Sequence, residues 1–256
     1  MIIKNVLPVF TTTIPSTGIK VKFNPFTDAQ EKLLLIAMES GDANDMIEAT
    51  RNLIDSCVHD IDVNELASFD INFLFLQLRI QSVSDKSELY YRSMDCGKTG
   101  GECEKTIKLT IDLSKVSVQQ YDNETEKYSE YQPQKIKNDK IDISLSKSTG
   151  VLVKYPSFIE QDLFAKLRTE SYEPTEDDLI KLCIVGVYDD EAVHTRDDFE
   201  SDELDEFYSS LIPKQKDNLY KFIRNIPKLR YETTFVCKEC GFKEEMKFED
   251  LESFFA

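Results

Sequence analysis

Two cysteine pairs place the tightest constraint on how this chain can fold. Cys237 and Cys240 sit in Phe235-Val-Cys-Lys-Glu-Cys-Gly-Phe242, between the β-rich run Tyr231 to Val236 and the alternating run Phe242 to Phe248. Thiolates two residues apart can both reach one tetrahedral ion at about 2.3 Å, and a glycine just after the second lets the backbone turn tightly enough to allow it. This knuckle supplies half a zinc site. Cys96 and Cys103 are the candidate second half, ahead of the alternating run Thr106 to Leu113. Each pair lies at the tip of a predicted β-hairpin, and both hairpins run on into an Asp-Leu segment, Asp112-Leu113 and Asp250-Leu251. Facing each other, they would form a zinc ribbon split by more than half the chain, with all four coordination positions filled and the metal structural.

Six residues separate Cys96 from Cys103, more than the usual two to four, so the first knuckle is an expanded, glycine-rich one. Reduced cysteines in two ordinary hairpin turns remain the alternative reading. A thioredoxin-type motif is disfavoured, because strand-like residues flank the Cys-x-x-Cys on both sides where a redox motif opens a helix. Cys57 and Cys183 lie in apolar helical stretches and read as buried small hydrophobes.

The 256 residues can hold one large or two modest domains, and a 41% hydrophobic content suits a globular chain. The net charge of −17 argues against nucleic acid and against an anionic membrane surface, since no basic stripe is available to displace counterions. No apolar run approaches the roughly 20 residues of a membrane span, and Met1-Ile-Ile-Lys lacks signal-peptide order, so an intracellular protein is expected.

The pattern along the chain predicts an α+β fold, helical layers packed on short antiparallel β-hairpins, with the zinc-ribbon-like pair of hairpins split between its halves. Region 1–87 reads as an N-terminal hairpin turning at Pro15-Ser-Thr-Gly18, then three helices. These are Asp28 to Met38, capped by Thr27; a second, capped by Asp42, through Cys57; and a third, capped by Ser68, from Phe69 to about Val83. The third is apolar almost all round and must be buried on most sides, in this domain or against another subunit. Region 88–156 reads as antiparallel β, with strands at 89–93, 106–113, 135–140, 141–145 and 151–155, turns at Asn138-Asp139 and Ser148-Thr-Gly150, and Tyr121 to Tyr131 as a surface loop. Region 157–229 reads as helices over Phe158 to Leu167, over Glu176 to Val187 behind a Thr175 cap, and from Pro213 to Ile226, with an acidic solvated stretch from Asp189 to Glu206. Region 230–256 is the Cys-x-x-Cys hairpin, packing back on residues 88–113.

No catalytic constellation emerges. His59 and His194 have no neighbouring nucleophile, and Gly97-Lys-Thr-Gly-Gly101 lacks the glycine spacing and strand-to-helix context of a phosphate-binding loop. The chain reads as a non-enzyme.

The succession Ile14-Pro-Ser-Thr-Gly18, Val21-Lys-Phe-Asn-Pro-Phe-Thr-Asp-Ala-Gln-Glu-Lys-Leu-Leu-Leu-Ile-Ala-Met-Glu-Ser40 and Phe69-Asp-Ile-Asn-Phe-Leu-Phe-Leu-Gln-Leu-Arg79 resembles the baseplate hub and hub-assembly proteins of T-even-like contractile-tailed phages. So do Val151-Leu-Val-Lys-Tyr-Pro156, Pro227-Lys-Leu, Cys237-Lys-Glu-Cys-Gly241 and Leu251-Glu-Ser-Phe-Phe255. The resemblance implies a non-enzymatic morphogenesis protein, made late in the host cytoplasm, whose partners are baseplate hub or tape-measure proteins, with homo-oligomers possible. An assembly factor, or chaperone, is favoured by the charge; a structural hub subunit retained in the virion baseplate is the alternative. A zinc-ribbon regulatory protein is the reading from another class, and it lacks the basic surface it would need. Phe254, Phe255, Tyr90 and Tyr91 are candidate docking aromatics, with ordinary core as the competing role.

Overall fold

The computed structural model describes residues 6–41, 43–91, 107–132, 140–166, 172–199, 202–238, 241–249 and 251–255. The N-terminal hairpin forms as expected: β1 (Phe10–Thr13) pairs antiparallel with β2 (Lys20–Phe23), from Phe10↔Phe23 to Thr13↔Lys20. Gly18 closes the turn at φ +71°, a conformation that costs glycine nothing sterically, and its N–H bonds to the Ile14 carbonyl at 2.8 Å. Helices α1 (Asp28–Ser40) and α2 (Ala43–Cys57) follow, then β3 (Val58–His59), a two-residue strand that pairs with Lys22 and Phe23 of β2. So short a strand carries no periodicity of its own.

Helix α3 (Ser68–Ser82) is the central wall of the molecule. Ile71, Leu74, Phe75 and Leu78 project from one side into a core shared with β2, α1 and α2. Phe69 and Leu76, with Phe73 and Ile80 partly covered, project from the other side into a second core. At about 100° per residue these two sets lie on opposite faces, which accounts for the all-round apolar sequence without a second subunit. Ser68 is the first residue of the helix; Ala67, in extended conformation, occupies the cap expected of Ser68.

The second core is closed by two small sheets. β4 (Lys86–Tyr91) pairs with β5 (Ile107–Asp112) from Lys86↔Asp112 to Tyr91↔Ile107, and Asp112 caps a single helical turn at Leu113–Lys115. The stretch expected as a surface loop, Tyr121 to Tyr131, is instead largely a hairpin. β6 (Ser117–Asp122) pairs with β7 (Lys127–Glu130), Tyr121 and Tyr128 face each other across the strands with ring centroids 5.1 Å apart, and Asp122 accepts the Glu124 N–H and the Thr125 hydroxyl in the turn. Cross-strand ring contact and an Asx-type turn stabilise this polar hairpin, whose outer strand is an exposed sheet edge. The strand and turn expected over 135–140 fall almost wholly outside the described residues.

β8 (Ile141–Ser144) and β9 (Gly150–Val153) form a hairpin, and α4 (Phe158–Lys166) starts with a capping box in which Ser157 N–H donates to Glu160 Oε2 and Glu160 N–H to Ser157 Oγ. Helix α5 (Glu176–Cys183) is capped as expected by Thr175 with Asp178 but stops four residues early. The chain continues as β10 (Ile184–Tyr188), pairing with β9 on one side and with β11 (Val193–Thr195) on the other. An apolar run fits a buried strand as well as a helix, and β-branched Ile184, Val185 and Val187 favour the strand once β9 is there to pair with it. The acidic stretch is exposed in β11 and the turn after it, as expected, but its end enters α6 (Glu203–Ser210), where Leu204 and Tyr208 are buried. Helix α7 (Pro213–Arg224) takes Pro213 at its first turn, and Leu219 and Ile223 complete a third core with β9, β10, α5 and α6.

The C-terminal hairpin joins β12 (Lys228–Val236) to β13 (Lys243–Phe248) from Tyr231↔Phe248 to Val236↔Lys243, and the start of β12 pairs with β6. Arg230, almost wholly buried, holds its base: the guanidinium lies 3.7 Å over the Tyr128 ring and donates to Glu232 and Glu249. Burial pushes the Glu249 carboxyl up, but Lys228 and Arg230 reverse this and hold it below the usual range. Helix α8 (Leu251–Phe255) then inserts Phe254 beside Phe248. The whole is an α+β fold of several small antiparallel sheets with helices packed on them.

Candidate functional site

Cys237 directly follows the last paired residue of β12 and is fully buried. Its N–H donates to the Phe242 carbonyl and its own carbonyl accepts the Gly241 N–H, both at 2.8 Å, while Gly241 takes φ +71°. The backbone therefore folds back under the cysteine through a position that glycine fills without strain. Cys240 lies outside the described residues, as do Cys96, Cys103 and the Gly97–Gly101 turn. The strands that lead to the first pair end beside the second: Tyr91, the last residue of β4, packs edge-on against Phe235 of β12 with centroids 5.2 Å apart. The described strand ends nearest the two cysteine pairs are thus neighbours in space, although 134 positions separate Cys103 from Cys237 in sequence. Among the described residues, no group of three or more His, Cys, Asp or Glu is arranged to hold a metal.

The other candidate residues fall into place more simply. Cys57 and Cys183 are buried, as expected, and burial pushes the Cys183 thiol up to about 12, so neither is poised as a nucleophile. His59 is exposed and bonds through Nε2 to Asn24 Oδ1, and His194 is exposed on β11. Phe254 is wholly buried, packed with Phe248 and holding the Ser87 hydroxyl on its carbonyl, so it is core and not a docking aromatic. Tyr91 is half-buried against Phe235, and Tyr90 points outward.

A feature the sequence reading passed over is the outer flank of α1. In the run Leu33-Leu34-Leu35-Ile36, only Leu34 enters the core; Leu33 is 65% and Ile36 63% exposed. Four consecutive apolar residues cannot share one helix face, and this rule alone could have found the exposed members. Leu33 also lines a groove of about 430 Å³ between α1 and α2.

A family model described as T4 bacteriophage base plate protein matches residues 7–256. The chain belongs to that family. Comparison with curated proteins and with solved structures gives no match. The match takes in all three cores and both cysteine-bearing hairpins, and it ties the chain to the phage baseplate and to the other proteins that build it. No helix among the described residues is long and apolar enough to cross a membrane.

Proposed function

We propose that this chain is a phage tail morphogenesis protein acting in baseplate hub assembly, as a non-enzymatic assembly factor or chaperone for hub or tape-measure components in the host cytoplasm. The observation that carries this reading is the exposure of Leu33 and Ile36 on a baseplate-family chain with a net charge of −17. An apolar flank suits capture of a partner, and strong like charge keeps the free protein soluble until capture. Expressed beside hub and tape-measure proteins, the chain is expected to co-purify with one of them; co-purification with none overturns the reading. The family description as a base plate protein favours a second reading, a hub subunit retained in the virion. Quantifying the chain in purified phage particles separates the two: a stoichiometric amount marks a subunit, its absence an assembly factor.

The same reading includes one structural zinc held by Cys96, Cys103, Cys237 and Cys240. The contact between Tyr91 and Phe235 supports it, because it brings together the strands that lead to the two cysteine pairs, and Cys237 is buried two residues beyond Phe235. Metal analysis of the purified protein is expected to give one zinc per chain, and Cys237→Ser to lose it. A metal-free wild-type protein with unchanged thermal stability in chelator overturns the assignment.

A further inference from the structure

The groove between α1 and α2 joins three apolar side chains, Leu33, Ala49 and Leu53, to an acidic edge. Helix α1 passes through Gly41 (φ +68°) to α2, so the two form a helical hairpin, and the groove runs along one side of it. Leu33 from α1 and Ala49 and Leu53 from α2 give it an apolar part, beside the polar Gln30, Asn52 and Ser56. The exposed Ile36, three residues on from Leu33, adds apolar surface next to the groove on α1. Its α2 wall carries Asp45 and Glu48, one turn apart on the same side. Among the described residues, no basic side chain lines it. Across residues 28–57 the acids Asp28, Glu31, Glu39, Asp42, Asp45, Glu48 and Asp55 stand against the bases Lys32 and Arg51, a balance of two minus seven, or −5. Lys32 is itself paired with Asp28 at 2.7 Å.

We propose that this groove binds a basic amphipathic helix of a partner protein, whose apolar face covers Leu33, Ile36 and Ala49 and whose Lys or Arg residues meet Asp45 and Glu48. The assignment rests on the reading of the chain as a binder of other baseplate components, and adds the place and the chemistry of that contact. Two antiparallel helices with an apolar seam accept a third in the manner of a helical bundle, and the anchors of such a ligand recur at i, i+3, i+4 and i+7. Charge selects the occupant. A second copy of this chain would bring a like-charged Asp45 and Glu48 wall against the first, whereas a basic helix is drawn in and oriented by it. Leu35, on the opposite flank of α1, lies outside the contact and serves as an internal control.

The test uses the full chain and a labelled Leu/Lys amphipathic peptide of about 18 residues, long enough to form helix on contact. Leu33→Ser with Ile36→Ser is expected to weaken binding by at least about tenfold, and Glu48→Lys to weaken it in a salt-dependent way. Leu35→Ser is expected to leave affinity unchanged. Because all of these positions are exposed, the circular dichroism and melting temperature of each variant should match wild type. Equal affinity of wild type and the double variant overturns the inference, since the peptide then binds elsewhere. So does a wild-type dimer that the double variant converts to monomer, since a second copy then covers the face. Co-purification keeps the broader reading separate. If wild type captures a hub or tape-measure protein and the double variant captures it equally well, only the groove assignment fails. If wild type captures nothing, the reading of the chain as an assembly factor fails first.

Discussion

Replacing Phe254 by alanine is expected to destabilise the protein by about 3–5 kcal/mol, the cost of emptying a fully buried aromatic site that the surroundings cannot refill. The ring lies against Phe248 in the core that also contains Leu89, Ile111 and Leu113, so it joins the C-terminal helix to the first cysteine-bearing hairpin. Deleting residues 251–256 should cost more. It removes the same ring and also the carbonyl that accepts the Ser87 hydroxyl, leaving a buried donor without its partner. Urea denaturation measures both effects. A truncated protein that keeps wild-type stability but no longer binds its baseplate partner would return Phe254 to the role of docking residue.

The second large effect is a pH dependence centred on Asp70. This carboxylate, in the first turn of α3, is fully buried. Its oxygens accept the Ser16 N–H at 2.9 Å and the Ser16 hydroxyl at 2.5 Å, tying the turn of the N-terminal hairpin to the central helix. Burial raises its pKa from the ordinary 3.8 to about 6, the bonds from Ser16 and the backbone at Ala67 offsetting only part of that rise. The folded state therefore holds a proton that the unfolded chain has released between about pH 4 and 6. The stabilising contribution of the protonated carboxyl is complete below the unfolded value and lost as pH rises through the folded one. At about 1.4 kcal/mol per pH unit, the loss comes to about 3 kcal/mol. Asp70→Asn keeps the shape and removes the titration. Relative to wild type, the variant should gain about 2 kcal/mol in stability between pH 4 and pH 7, the remainder of the change falling below pH 4. A stability difference that stays constant over this range would show that Asp70 does not titrate there.

Much of the local structure could be read from short-range chemistry. Thr175 marked the start of α5, Pro213 the start of α7, and Pro15-Ser-Thr-Gly18 the first turn. The errors were of two kinds. The run from Leu182 to Val187 suits a helix or a buried strand equally well, and pairing with β9 chose the strand. The polar segment around Tyr121 and Tyr128 had too little apolar alternation to announce a hairpin, and its stability comes from one ring pair and the Asp122 turn. On the candidate site, both hairpins that lead to the cysteines were legible from their alternating runs, and the exposed flank of α1 was legible in principle from four apolar residues in a row.

By itself, the sequence determined the class of the fold, the position of most helices and hairpins, the burial of Cys57 and Cys183, and a strongly acidic net charge. Each follows from residues a few positions apart or from composition, because caps, turns and periodic faces are local physics. Only the tertiary structure decided that α3 separates two cores, that Phe254 belongs to one of them, that Asp70 loses its water, and that Tyr91 meets Phe235. Those outcomes depend on which distant surfaces pack together, and burial, with the free energy and pKa changes it brings, is a property of that packing and not of any single stretch of chain.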